Sequence, residues 1–193
     1  MLDISSIPLD YYPLITFTHN FRSPIGKGIQ LRTNSLVSHV MESHRPGFFA
    51  TQDFTGFKTL PFDKVDNKHT YFLFYRYEGL TEKKQEEWWK TIYRDLDEPW
   101  WLRRYDWLGV VGQLFGVRWL ESPFTEYCSQ KVKQHLFEVF GSEIKKRPTP
   151  EELRKYCRKY PQWVEVGEII PEGYEDVIKR HKKRLDGSIL GVS

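Results

Sequence analysis

Hydrophobic periodicity changes character once along this chain, near residue 80, and that change limits the fold more than any other feature. Before it, short runs rich in β-branched and aromatic residues follow one another: Pro13 to Thr18 (PLITFT), Gly28 to Arg32, Leu36 to Met41, Phe48 to Gln52 and Thr70 to Tyr75, separated by Gly, Pro and Asn clusters. After it the apolar spacing becomes helical. Thr81 caps a helix on which Trp88, Ile92 and Leu96 recur, with Trp89 and Tyr93 widening the stripe. A second helix is expected from Asp106 through Leu114 to Gly116, and a third from about Glu126 to Phe140, closed by Gly141. Thr149-Pro150-Glu151-Glu152 supplies an N-cap, a first-turn proline and a capping-box Glu for a fourth. One more strand near Trp163 to Val166 and a basic helix at about 171–186 complete the pattern. No linker or repeat interrupts it, so residues 1–193 read as one α+β domain with a small antiparallel sheet packed on helices.

At 193 residues the chain can bury one real core but not two comfortable ones. Aromatic residues reach 16%, including seven Trp, which reads as a core built on large rings rather than a binding platform. A net charge of +3 gives no strong field toward nucleic acid. The basic run Lys179 to Arg184 (KRHKKR) reads as a solvated helix face, peripheral to the core, so a nucleic-acid partner is not expected. Two cysteines cannot form a disulfide framework. The opening residues carry no signal-peptide pattern and no apolar run is long enough to span a membrane, which implies synthesis in a cytoplasm and no transmembrane segment.

Cys128 stands out chemically. With Thr125 as N-cap it falls in the first turn of the third helix, where free backbone N–H groups and the helix dipole favour a thiolate and can hold an oxyanion. It also heads an apolar stripe with Val132, Leu136 and Val139, and a cysteine so placed is more often packing than catalysis. His39 lies in the strand-like LVSHVMES, sharing a face with Val37 and Met41 that is expected to point toward the interior the Cys helix covers. A neutral imidazole opposite a thiol can deprotonate it. Cys157, in RKYCRKY, aligns with Leu153, Tyr156 and Tyr160 and reads as structural. Nothing calls for a cofactor: GKG at positions 26–28 lacks a phosphate-loop pattern, and His44 with His39 and Cys128 matches no metal spacing.

The order of these segments resembles the YiiX-like permuted branch of the NlpC and papain superfamily, in which the His strand precedes the Cys helix. PLITFT is similar to the opening strand, KGIQLRTNSLVSHV to the run into the His, and Tyr105-Asp106 to a pair upstream of the Cys. The aromatic-CS at a helix start and RPTPEEL complete the likeness, which covers roughly residues 12 to 165. The resemblance implies a permuted papain/NlpC-like fold and a cysteine hydrolase cleaving an amide, thioester or ester bond through an acyl-enzyme on Cys128, with His39 as base. Its third residue is a polar group, often Glu, on the strand after the His. Here that strand is PGFFATQDF and the acid is missing near Ala50, leaving Thr51, Gln52 and Asp53, of which Gln52 is preferred. The substrate class is left open beyond an amide- or acyl-containing molecule. The missing acid favours the alternative of a non-enzymatic structural or interaction protein with an assembly partner, such as a virion-associated component.

Overall fold

The computed structural model describes residues 4–53, 55–65, 68–99, 128–144 and 147–189. Six strands form one antiparallel sheet: β1 (Leu14–Asn20), β2 (His39–Arg45), β3 (Phe48–Asp53), β4 (Gly56–Pro61), β5 (Thr70–Tyr77) and β6 (Trp163–Ile169), in the order β4-β3-β2-β1-β5-β6. The described helices are α1 (Pro24–Thr33), α2 (Glu82–Asp97), α3 (Cys128–Phe140), α4 (Pro150–Lys159) and α5 (Glu175–Ile189).

The sheet's central strands are covered on both faces, so β1 and β5 are buried along nearly their whole length rather than at alternate residues. On one face Ile15, Phe17, Val40 and Leu73 pack under Trp88 and Ile92 of α2, Leu136 of α3 and Cys157 of α4. On the other, Leu14, Met41, Phe49, Phe72 and Phe74 close over Ile4, Ile7 and Tyr12 from the N-terminal segment. The aromatic residues do serve the core. Trp88 is wholly buried and meets Trp163 edge-on at 6.1 Å, while Tyr77 stacks on Phe140 at 4.2 Å.

Local chemistry explains most of the elements. Thr81 accepts from the Lys84 N–H and starts α2. The capping box at α4 forms in full between Thr149 and Glu152. Gly141 follows α3 with φ 63°, a conformation that glycine adopts without strain.

Four expectations are corrected. Gly28 to Arg32 is not a strand but the body of α1, because Ser23 accepts from the Gly26 N–H and Pro24 opens the first turn. Strand β4 (Gly56–Pro61) escapes the sequence pattern because its residues from Lys58 on sit half-buried at the sheet edge and depend on pairing with β3. Strand β2 begins at His39 rather than Leu36. The C-terminal helix is not peripheral: Ile178 is 1% exposed inside the main core, and Tyr174 stacks on Phe21 at 4.2 Å. Its basic residues Lys179, Arg180 and Lys183 do face solvent. The expected helix at 106–116, the Tyr105-Asp106 pair and the Thr125 cap lie outside the described residues.

Candidate functional site

Cys128 is the first described residue of α3 and 4% exposed, held among core side chains by the apolar stripe that Val132, Leu136 and Val139 continue. Ser129 fixes this end of the helix by donating from Oγ to the Pro148 carbonyl at 2.6 Å. His39 opens β2, half-buried.

The two side chains meet by an unexpected route. Alternation along β2 puts Val40 and Glu42 on the face that α3 covers, and His39 and Met41 on the opposite face. The pairing of β2 with β3 runs only from Glu42↔Ala50 toward the hairpin turn, so beyond it the two strands part. Cys128, in the core that the helices cover, lies against the His39–Val40 end of β2. Its sulfur is hydrogen-bonded to the His39 ring and to the backbone N–H groups of Val40 and Ser129. The Val40 N–H thus has the thiol as an acceptor, as a buried donor requires. The expectation that His39 shares the face of the Cys helix is corrected: alternation puts it on the Met41 face, and its ring still adjoins the thiol.

Burial by itself would raise the Cys128 pKa, but attraction to the His39 ring and the three hydrogen bonds overcome it and hold the thiol below its ordinary value. Burial likewise works against a charged His39. The thiolate beside it, with a smaller contribution from Asp53, raises the imidazole above its ordinary value. Cys157, wholly buried in α4, is the opposite case: burial pushes its thiol well up, and it stays neutral and inert.

The group oriented toward His39 is Thr51, whose hydroxyl lies 2.7 Å from Nε2. With Nε2 so engaged, Nδ1 is the nitrogen left for the sulfur. Gln52, the preferred candidate from sequence, is buried on the other face of β3, where alternation places it with Ala50 and away from the imidazole. Asp53 shares the Thr51 face, but its carboxylate is held by Lys58 at 2.7 Å and by Thr55. These contacts outweigh its burial and lower its pKa. His44 is far from this arrangement in function: its ring packs between Phe48 and Tyr93, and burial lowers its pKa to about 4.

A charged network within the core was not read from the sequence. Glu42 receives hydrogen bonds from Trp88 Nε1 at 2.5 Å and from His135 Nδ1 at 2.7 Å. His135 Nε2 reaches Asp95 at 2.8 Å, and Asp95 also holds Lys131 at 3.0 Å and Arg94 at 2.8 Å. Burial opposes a charge on His135, but the two carboxylates raise its pKa to about 9. The available signal was His135 at position i+7 from Cys128, on the same helical stripe.

On the His39 face of the sheet lies a cavity of about 260 Å³, lined by His39 and Thr51, by Ile25 and Ile29 of α1, and by Met41 and Leu60 among others. Among the described residues no group of three or more His, Cys, Asp or Glu is arranged to hold a metal ion, and no helix is long and apolar enough to cross a membrane.

This architecture has a solved counterpart. The crystal structure of the metalloprotein YiiX from Escherichia coli O157:H7, a DUF1105 protein, superposes with a TM-score of 0.53 over 80% of this chain and 95% of that one, at 22% identity. The fold is YiiX-like. No family model matches the sequence, and no curated protein matches it. At this identity the YiiX likeness extends to the fold alone.

Proposed function

We propose that this chain is a cysteine hydrolase of the permuted papain type, cleaving an amide, thioester or ester bond. The observation that carries the reading is the Cys128 thiol hydrogen-bonded to the His39 ring, with the thiol pKa lowered and the imidazole pKa raised. In a wholly structural core, a buried cysteine is driven the other way, as Cys157 is.

The Cys128 thiolate attacks the carbonyl carbon, and the carbonyl electron pair moves onto oxygen. In this reading the first-turn N–H groups of α3 serve as donors to that developing charge. Collapse of the intermediate expels the leaving group, which takes the proton carried by the His39 imidazolium and leaves an acyl–sulfur bond. His39, now neutral, deprotonates a water that attacks the acyl carbon, and the thiol is released. Thr51 fixes the ring plane throughout by accepting from Nε2–H. As an uncharged group it orients the imidazolium without neutralising it, so the dyad acts with less electrostatic support than a carboxylate would give.

Exposure to p-nitrophenyl acetate tests the reading. The expected result is a burst of one nitrophenolate per chain with an acetyl group mapped to Cys128, lost in Cys128→Ser. Absence of acylation at Cys128 would overturn it. The second reading, a non-enzymatic interaction protein on the same fold, draws on Thr51 standing where an acid is expected, and predicts no burst.

A further inference from the structure

We infer that the cavity on the His39 face is the acyl subsite, and that it takes an uncharged, mainly apolar acyl group of about ten non-hydrogen atoms. This rests on the hydrolase reading of Cys128 and His39. Three observations carry it. His39 and Thr51 both line the cavity and the His39 ring adjoins the Cys128 thiol, so the imidazole is the group shared by the cavity and the nucleophile. The far walls are aliphatic: Ile25 and Ile29 from α1, Met41 from β2, Leu60 from β4 and Val65 beyond it. Apart from His39 the only charged residue among its described lining is Asp53, whose carboxylate is already paired with Lys58 at 2.7 Å and would repel a second carboxylate.

Size follows from the volume. A dry apolar cavity of about 150 Å³ accommodates a benzene ring, so 260 Å³ suits a group somewhat larger, a medium-length alkyl chain or a substituted ring. Thr18, Asn20 and Thr70 form a polar side to the same space. Asn20 and Thr70 are already hydrogen-bonded to each other at 3.1 Å, which lessens their demand on a ligand. The walls therefore select for apolar area and against charge.

The test uses alkylating probes on the full chain, read as second-order rates of Cys128 modification at neutral pH. Iodoacetamide reports the thiolate alone. N-hexyl iodoacetamide adds a chain for the cavity, and N-(5-carboxypentyl) iodoacetamide adds the same chain ending in a carboxylate. The expected result is a gain of about tenfold or more for the hexyl probe with saturation, and loss of that gain for the carboxylate probe. Ile29→Trp, which fills the cavity, should abolish the gain of the hexyl probe over iodoacetamide. If that variant does not fold, Ile25→Glu, at a position 42% exposed, places a charge at the same wall and should have the same effect. Equal rates for all three probes, or a hexyl gain that survives the substitution, would overturn the subsite. Slow iodoacetamide modification of the unaltered chain would overturn the hydrolase reading instead.

Discussion

Glu42 and His135 are hydrogen-bonded at 2.7 Å in the core, and they lie the same distance along their elements from His39 and Cys128. Glu42 is three residues beyond His39 on β2, about 10 Å at strand rise. His135 is seven residues beyond Cys128 on α3, about 10.5 Å at helix rise. The Cys helix is therefore tied to the His strand at two points of equal spacing, Cys128 with His39 and His135 with Glu42. Asp95 and Trp88 extend the inner tie to α2. Such a network is costly to bury and strongly destabilising to break at one partner, and here its geometry fixes the register between the helix and the strand.

The tie has a pH signature. His135 has an ordinary value of 6.5 and is raised to about 9, with Glu42, Asp95 and Lys131 the charged groups facing it. A raised value means that its contribution to stability is fully present below pH 6.5 and is lost as pH rises through about 9. Urea denaturation midpoints should fall across that window. In His135→Gln the fall should flatten and the starting midpoint should drop by the equivalent of roughly 3 kcal/mol. A slope unchanged by the substitution would remove the network as its source.

Iodoacetamide at pH 7 followed by peptide mapping should modify Cys128 at least about tenfold faster than Cys157. The reason is that hydrogen bonds from His39, Val40 and Ser129 lower one thiol, while burial alone raises the other. Preferential labelling of Cys157 would count against the assignment.

His39→Ala should slow Cys128 alkylation near pH 7 by about tenfold or more, since both the charge and the hydrogen bond that sustain the thiolate are removed. His44→Ala should leave the rate unchanged, because that ring packs on Phe48 and Tyr93. Thr51→Val should give a smaller, few-fold reduction by freeing the imidazole plane, with Gln52→Ala matching the parent rate if the fold is kept. Equal losses at His39 and His44 would sink the dyad.

Ile178→Ala should destabilise the chain by roughly 2–5 kcal/mol, the range for a large aliphatic truncated in a core. Ile178 is 1% exposed within the main cluster, and Lys182 ties the same helix to Glu168 at 2.6 Å. A chain ended before Pro171 should melt well below the full one. Unchanged melting would return α5 to the periphery.

Local chemistry was legible in the residues themselves. Caps at Thr81 and Thr149, the stop at Gly141, the helical stripe from Cys128 to Val139 and five of the six strands are set by neighbours within a few positions, and such signals survive without tertiary context. Cys128 and His39 could be singled out as chemically capable, but nothing within either segment fixes how they meet. Tertiary packing decided that, and strand pairing chose Thr51 over Gln52, because a shift of one residue reverses which side chains face the imidazole. The α1 helix over the Gly28 to Arg32 run, the edge strand β4 and the docking of Ile178 likewise depend on partners distant in the chain. The Glu42–His135–Asp95 network is the extreme case, since each member alone reads as a solvated charge, and only packing removes water from all three at once.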